Sequence, residues 1–312
     1  MTRLAAVVSA LAVALAAAGC GLGAGEAQEG DGATLRVTRD FGAQLLHGAE
    51  REAVREGDTV MRFLQEAVDD VDTGYGGRFV SGIGGLRMDE GPPPRDWFYW
   101  VNGIEASVGA AEYELHPGDV VHWDYRRWDA AMRIPAIVGA FPEPFLHGIG
   151  GERVPVRVEC AEPEGPACET AKDKLGEAGV AAPSSVIGTS SRPDVLRVLV
   201  APWSRMRALN SARVLTEGPG VSGVFARFSD DGRLQLLGPD GEPVRTAPAG
   251  SGLVAAVAYA KTKAVWLVTG VDEAGTERAA GALDAATLRD AFAVAVLPEG
   301  PVKLPVADAG EE

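Results

Sequence analysis

The chain of 312 residues is 46% hydrophobic and 23% charged, which is ordinary for a globular protein and indicates about two domains. Its formal net charge is −15, because 44 acidic residues outnumber 29 basic ones. Such a surface repels nucleic acid and anionic lipid headgroups, so we expect no nucleic-acid partner and no membrane attachment through charge.

The first twenty residues have the order of a secretory signal peptide: Arg3, an apolar run over residues 4–18, then Gly19 and Cys20. The run is shorter than the roughly 20 apolar residues of a membrane span. Residues 17–20 (AAGC) resemble the bacterial lipoprotein signal, with Ala17 where Leu is usual. The resemblance implies cleavage before Cys20, lipidation of its thiol, and a protein held by this lipid on the outer face of the cytoplasmic membrane. The alternative is a plain signal peptide cut elsewhere.

Residues 21–33 are mostly Gly, Ala, Glu and Gln without apolar periodicity, which predicts a flexible tether spanning about 20 Å. Once Cys20 is lipidated, Cys160 and Cys168 remain as a pair in an exported chain. We therefore predict a disulfide between them. The alternative, a metal site, lacks a CxxC motif and a nearby histidine.

The first folded domain is predicted over residues 34–129. Residues 34–39 alternate as a strand does, and apolar residues at helical spacing predict a helix from Val60 to about Asp70, with Asp58 as its N-cap. A glycine-rich turn at 74–77 and a proline run at 92–94 follow. The elements predict a small, mainly antiparallel sheet crossed by one helix, which is an α+β arrangement.

Residues 97–129 hold four of the six tryptophans and three of the five tyrosines. Asn102-Gly103 predicts a tight hairpin and Gly118-Asp119 a second turn. In the first strand, Trp97, Tyr99 and Val101 alternate with Phe98 and Trp100, so both faces are apolar. One helix covers one face only. The other aromatic face is therefore exposed as a binding platform or covered by something else; for any single residue, a place in the core is the simpler interpretation.

The order of motifs in this region resembles the transcobalamin-like C-terminal domain, a β-grasp-type module of bacterial surface proteins and of animal cobalamin carriers. The matching residues are Gly57, Asp58, Thr59, Gly74, Tyr75, Gly76, Trp97, Tyr99, Val101, Asn102, Gly103, Gly109, Tyr113, Leu115, Gly118, Asp119, Val121, Trp123 and Tyr125. The resemblance covers residues 34–129 and implies a β-grasp-like fold with a corrinoid-like ligand. It implies ligand contacts at Trp97, Phe98, Tyr99, Trp100, Asn102, Ser107 and Gly109.

The second half alternates strands with helices, which predicts an α/β domain over residues 154–300, after a Pro- and Gly-rich linker at 130–153 and before a disordered tail at 301–312. Asp230-Asp231-Gly232 predicts a hairpin turn. The strands are expected at 154–159, 195–200, 222–228, 233–237, 264–269 and 292–297, and the helices at 169–178, 204–214 and 284–290.

The sequence carries no recognisable catalytic or metal-binding motif. The four histidines form no HExxH, Ser222 lacks a complete G-x-S-x-G elbow, and no phosphate loop occurs, so we expect neither an enzyme nor a resident cofactor. The leading hypothesis is a lipid-anchored extracytoplasmic binding protein that captures a corrinoid-like molecule for a membrane transporter. The alternative is a cell-surface module that binds a partner protein through the same aromatic patch. An envelope enzyme with its site in the second half ranks third.

Overall fold

The computed structural model describes residues 32–189, 194–258 and 264–307. Cys20, the predicted signal peptide and nearly all of the predicted tether lie outside the described residues, as do residues 308–312. The elements of the N-terminal half are β1 (Ala33–Arg39), β2 (Gln44–Arg51), α1 (Val60–Ala67), β3 (Val71–Gly74), β4 (Phe79–Ile83), β5 (Leu86–Arg87), β6 (Arg95–Val101), β7 (Ile104–Glu105) and β8 (Val120–Arg127).

A five-stranded sheet in the order β2-β1-β8-β6-β7 forms the centre of this half. It is mainly antiparallel, as predicted, although β1 runs parallel to β8. The predicted Asn102-Gly103 hairpin joins β6 to β7, with φ of 52° and 74° at its two residues. These positive values are what a tight hairpin requires at both central positions.

Helix α1 crosses one face of the five-stranded sheet and buries Val60, Phe63 and Leu64 against it. Its N-cap is Thr59, whose hydroxyl accepts from the Arg62 N–H, and not Asp58. The Asp58 carboxylate instead accepts from the Arg55 N–H and pairs with Arg51. The helix is shorter than expected, since the chain leaves it after Ala67 and begins β3 at Val71.

The C-terminal half contains β9 (Val156–Cys160), α2 (Pro166–Glu177), β10 (Ser184–Val186), β11 (Leu196–Pro202), α3 (Trp203–Met206), α4 (Asn210–Arg213), a 3-10 helix (Val214–Thr216), α5 (Pro219–Ser222), β12 (Ala226–Phe228), β13 (Leu234–Leu237), β14 (Pro243–Thr246), β15 (Gly252–Val257), β16 (Val265–Gly270), α6 (Glu273–Gly281), α7 (Ala285–Leu288), β17 (Ala293–Leu297) and β18 (Gly300–Leu304). A seven-stranded sheet has the order β10-β9-β11-β16-β15-β17-β18, and its first four strands are parallel. Mixed helices and strands throughout make the chain an α+β protein.

Helices α2 and α6 pack together on one face of the seven-stranded sheet. The predicted disulfide is present: Cys160 at the end of β9 and Cys168 in α2 are joined, with Cα atoms 5.9 Å apart. Helix α6 approaches the sheet closely because glycines face it. A Cβ on Gly252 or on Gly270 would lie 2.2 or 2.3 Å from backbone atoms of α6.

Several predicted elements of this half differ from the structure. The helix expected at 204–214 is broken into α3 and α4, because Leu209 is extended and turns the chain so that Met206, Ala212 and Leu215 reach the core. Strand β15 and helix α6 were not predicted. Residues 301–304, expected in a disordered tail, belong to β18 and pair with β17.

The two halves share a hydrophobic core. Segment 130–153, expected as a linker, contains no helix or strand, but it contributes Ile134, Ile137 and Phe145 to buried clusters. Phe41 and Trp100 of the N-terminal half join one of these clusters with Phe225 and Phe292. The sheet face opposite α1 is therefore covered by the C-terminal half.

Candidate functional site

Strand β6 sends Phe98 and Trp100 toward the C-terminal half. Trp100 is fully buried, its indole N–H donates to the Ile134 carbonyl at 2.7 Å, and its ring meets Phe292 edge-on at 5.1 Å. The Phe98 ring lies 3.9 Å from the guanidinium carbon of Arg126. The second aromatic face is thus a packed interface, not the exposed platform that the sequence left open.

The opposite face of β6 carries Trp97 and Tyr99 under α1 and the small sheet β3-β4-β5. The Trp97 indole donates to the Leu86 carbonyl at 2.9 Å, which fastens β6 to that small sheet. Tyr99 stacks on Trp123 with ring centroids 4.7 Å apart. Trp97 and Trp123 are themselves almost completely buried, so most of this aromatic surface is core.

A groove of about 190 Å³ remains between β4, β6 and residues 105–110. Four of the residues that the resemblance assigns to a ligand line it: Trp97, Tyr99 and Gly109, together with Phe98, whose ring lies against Arg126 on the other face of β6. Its rim is formed by Phe79 and Val108, whose exposed fractions are 38% and 44%. Apolar side chains therefore form the base of the groove and part of its edge.

The Tyr99 hydroxyl fixes one wall of the groove by donating to the Val108 carbonyl at 2.6 Å. Burial, with the nearby Tyr113 and Glu112, raises the pKa of Tyr99, and burial with the Asp119 charge raises the pKa of Tyr113 to about 12. Both phenols accordingly stay protonated at neutral pH and act as hydrogen-bond donors. The loop that carries Val108 is held in place rather than free to close over the groove.

Three residues of the predicted ligand set lie elsewhere. Trp100 is in the domain interface, as described above. Asn102 is buried: its amide donates to Asp119 Oδ1 at 2.8 Å and to the Gly148 carbonyl at 2.9 Å, and its Oδ1 accepts from the Val120 N–H. These bonds join three turns and use the polar atoms of its side chain. Ser107 is exposed beside the groove but does not line it.

Polar groups at the groove include two that the sequence did not single out. Arg78 is exposed at the rim and forms no ion pair with any described residue. Glu105 is held by Arg133, whose Nε lies 2.9 Å from each carboxylate oxygen. The indole N–H of Trp123 is buried without a hydrogen-bond partner among residues 32–189, 194–258 and 264–307. A bound acceptor would relieve that unsatisfied donor.

Phe79, Val108 and Arg78 had no strong signal in the sequence. Phe79 follows the glycine-rich turn in an Arg-Phe-Val triplet, which predicts an ordinary strand, and Val108 sits in a short loop of small residues. The one sequence feature that could have indicated a binding site was an apolar residue, Val108, in a turn-rich loop. Only the packing of β4 against β6 brings these side chains to one rim.

A buried polar cluster lies on the domain-facing side of the same sheet. Asp124 accepts from the Phe41 and Gly42 N–H groups, each at 2.9 Å, and from the Thr38 hydroxyl at 2.6 Å. His122 Nε2 lies 2.7 Å from the same hydroxyl oxygen. Because that hydroxyl donates its one proton to Asp124, the neutral imidazole carries its proton on Nε2 and donates to Thr38.

Burial is the largest cause of the pKa shifts of Asp124 and His122. It raises the pKa of Asp124 to about 6, although the hydrogen bonds from Thr38, Gly42 and Phe41 oppose the shift. It lowers the pKa of His122 to about 4. Asp124 holds the turn that carries Phe41 into the C-terminal core, so this cluster joins the two halves of the chain and does not form an accessible catalytic site.

Two structural features are absent from the described residues. These residues contain no group of three or more His, Cys, Asp or Glu side chains placed to hold a metal ion. None of their helices combines the length and hydropathy needed to span a membrane.

Comparison with known proteins is informative for the N-terminal half only. No curated protein sequence matches the chain. A family model matches a segment that begins just before α1 and ends with β8, so the segment contains every residue that lines the groove and none of the C-terminal half. Residues 57–127 match the family described as a domain of unknown function, DUF4430.

Proposed function

We propose that this chain is a lipid-anchored extracytoplasmic binding protein and that its groove takes an apolar side chain of a partner protein. The groove volume carries this proposal. About 190 Å³ is below the roughly 300–1,000 Å³ of sites that enclose drug-sized ligands, yet it suits a single large side chain. The exposed rim residues Phe79 and Val108 supply the apolar surroundings that such an anchor needs.

The fold assignment that supports this proposal is a transcobalamin-like β-grasp domain. The order β2-β1-β8-β6-β7, with a parallel central pair and one crossing helix, agrees with a β-grasp domain into which β3, β4 and β5 are inserted. On the sequence side, Cys20 provides the lipid attachment at the outer face of the cytoplasmic membrane. A component of a membrane transporter is one class of partner that this location brings within reach.

The polar groups at the groove indicate which kind of partner segment would bind. Arg78 lies beside Phe79 and is exposed, so a carboxylate next to the inserted apolar side chain would gain a charge-assisted hydrogen bond. The unsatisfied Trp123 N–H favours an acceptor on the inserted segment. We therefore expect a partner segment with an apolar or aromatic anchor flanked by an acidic residue.

Photocrosslinking in the cells that make the protein tests this function. A photoreactive phenylalanine analogue replaces Val108, and the matched control carries it at Val221, which is similarly exposed on the C-terminal half. We expect one protein to be captured at position 108 and none at 221, and Phe79→Asp to lower the yield about tenfold, corresponding to about 1.4 kcal/mol. Equal yields at both positions would refute the groove as the docking site.

The corrinoid remains a second candidate because Trp97, Phe98, Tyr99 and Gly109, which the resemblance assigns to it, all line the groove. A molecule of that size would lie across the opening rather than inside it. Equilibrium dialysis of the delipidated protein with cobalamin separates the two occupants. Under our proposal no binding occurs at about micromolar concentration. Saturable binding that Val108→Asp abolishes would establish the corrinoid instead.

A further inference from the structure

The middle of strand β6 is paired with a neighbouring strand on one side only. On that side β8 runs antiparallel to it over residues 95–101. On the other side β7 pairs with its last two residues, and an isolated bridge joins Arg95 to Asp89. Among the described residues, no strand covers 96–99 on this second side. This open edge lies between the two contacts, at the groove.

The hydrogen bonds at the two ends of β6 show which of its backbone groups face the open edge. The Trp128 N–H donates to the Pro94 carbonyl at 3.2 Å. The Asn102 N–H donates to the Val120 carbonyl at 2.9 Å. Because bonded and non-bonded positions alternate along an antiparallel pair, the even-numbered residues of β6 bond to β8. The N–H and C=O groups of its odd-numbered residues therefore point to the open edge.

Two of these outward-facing groups are unpaired. At the ends of the edge, both backbone groups of Arg95 bond to Asp89, and the Tyr99 carbonyl accepts from the Ala106 N–H at 3.2 Å. The Trp97 N–H donates to the carboxylate of the preceding aspartate at 2.8 Å. The Trp97 carbonyl and the Tyr99 N–H have no hydrogen-bond partner in the part of the chain that the structure describes.

The unpaired groups lie on either side of Phe98, which itself lines the groove. The ring of Phe98 lies against Arg126 on the other face of β6, so the part of this residue that reaches the groove is beside its backbone. The buried indole N–H of Trp123 is a further unsatisfied donor in the same groove. Backbone groups of folded proteins are nearly always paired, so an unpaired acceptor and donor side by side indicate a position for a ligand's backbone.

An extended segment fits this edge better than a helix. The backbone groups of a helix bond to one another, whereas an extended segment has free groups along both of its edges. If the segment runs parallel to β6, one residue opposite Phe98 donates to the Trp97 carbonyl and accepts from the Tyr99 N–H. The next residues send their side chains to the other face, which is the face of Trp97 and Tyr99 and of the groove.

We propose that the partner binds by strand addition: an extended segment of a partner protein bonds to the Trp97 carbonyl and the Tyr99 N–H and inserts a neighbouring apolar side chain into the groove. An acidic residue of the segment pairs with Arg78, which is exposed at the rim and forms no ion pair with any described residue. This inference rests on the proposed function, since it takes the groove as the docking site and adds the backbone contacts.

Nuclear magnetic resonance of the full chain with isotopically labelled tyrosine tests the edge directly, because the sequence has five tyrosines and few signals result. Tyr99→Phe identifies the Tyr99 signal. The Tyr113 N–H, which donates to the Gly109 carbonyl at 3.1 Å, is the internal reference. In the free protein the Tyr99 N–H should exchange with solvent about 100-fold faster than the Tyr113 N–H. Equal protection of the two would show a closed edge and overturn the proposal.

The probe is a capped pentapeptide with a central phenylalanine, a glutamate before it and threonines elsewhere, because β-branched residues favour an extended backbone. At about 1 mM it should slow exchange of the Tyr99 N–H about tenfold and leave the Tyr113 N–H unchanged. The same peptide methylated at its backbone nitrogens keeps the side chains but cannot donate to the Trp97 carbonyl. This control peptide should slow exchange by less than about twofold.

Phe79→Asp, or Val108→Asp if the first variant does not fold, should remove the protection by the peptide. Val221→Asp is the matched control, since Val221 is similarly exposed on the C-terminal half, and it should keep the protection. Unchanged Tyr99 exchange up to about 10 mM peptide would overturn strand addition, and photocrosslinking at position 108 but not at 221 would then still support the groove as the docking site. Equal crosslinking at both positions would overturn both proposals.

Discussion

The two faces of the five-stranded sheet are both aromatic, but they are covered in different ways. The face with Trp97 and Tyr99 lies under α1 and the small sheet, which come from the same half of the chain. The face with Trp100 and His122 lies under the C-terminal half and adds buried ionisable groups to the aromatic contacts. We call them the helix-side face and the domain-side face.

The way in which each face is covered determines where a ligand could bind. The domain-side face is closed by long-range packing and by hydrogen bonds that use its polar groups, so little surface remains for a ligand. The helix-side face is closed by short elements that leave a gap between β4 and β6, and that gap is the groove. Surplus aromatic residues thus mark an interface on one side and a candidate binding site on the other.

The largest effect is expected from Trp100→Ala. Removing this fully buried ring should destabilise the protein by about 3–5 kcal/mol, since a cavity replaces contacts that join both halves. Trp97→Ala provides the comparison on the helix-side face. By hydrogen exchange, Trp100→Ala should speed exchange in β6 and also in β17, whereas Trp97→Ala should act within the N-terminal half. Identical exchange patterns for the two variants would remove the distinction between the faces.

The next largest effect, about 3 kcal/mol, is the pH-dependent contribution of His122 to the free energy of unfolding, which the variant His122→Gln removes. The folded pKa of His122, about 4, lies below the unfolded value of about 6.5. The neutral histidine therefore contributes stability that is present above about pH 6.5 and is lost as the pH falls toward 4. The stability difference between wild type and variant, measured by denaturant unfolding, should shrink by this amount over that window. A difference independent of pH would contradict the assignment.

Asp124 should change stability with pH in the opposite direction to His122. Its pKa is raised to about 6 in the folded protein, so its contribution is present below about pH 4 and is lost as the pH rises through 6. The wild-type curve is the sum of both groups. The comparison must therefore be made as a difference between variants and wild type rather than from the wild-type curve alone.

A smaller effect, about 2 kcal/mol, is expected for the coupling between Arg36 and Asp290 across the two halves. Arg36 Nε donates to Asp290 Oδ1 at 2.8 Å, and a second bond joins Nη2 to Oδ2. Burial of Asp290 is outweighed by Arg36 and other positive charge, so its pKa is lowered. A double-mutant cycle with Arg36→Gln and Asp290→Asn measures the coupling. A value near zero would show that the pair does not hold the domain-side face.

The smallest effect is expected on the helix-side face from Tyr99→Phe, which removes the bond to the Val108 carbonyl. The loss should be about 1 kcal/mol, because the groove wall is only partly buried. The photocrosslinking yield at position 108 should nevertheless change, since the loop is no longer fixed. Tyr75→Ala is the control, as Tyr75 is 88% exposed and should shift stability by less than about 0.5 kcal/mol.

The local features of this protein could be predicted from its amino-acid sequence. Asn102-Gly103 specified a tight turn because few other dipeptides tolerate two positive φ values, and strict alternation assigned Trp97, Tyr99 and Val101 to one face of β6. The Cys160–Cys168 disulfide was likewise predicted and is present. These features depend on residues close together in the chain, where backbone geometry alone decides the outcome.

The segments that cover each face of the sheet could not be predicted, because they lie far away in the chain. Periodicity reports that Trp100 is on the opposite side from Tyr99, but not that Phe292, almost two hundred residues later, packs against it. Periodicity did not indicate α6, whose small residues pack closely against glycines of the sheet. It also does not indicate the groove, which is a gap between elements. Burial by distant segments therefore separated the residues of one aromatic strand into core, interface and candidate site.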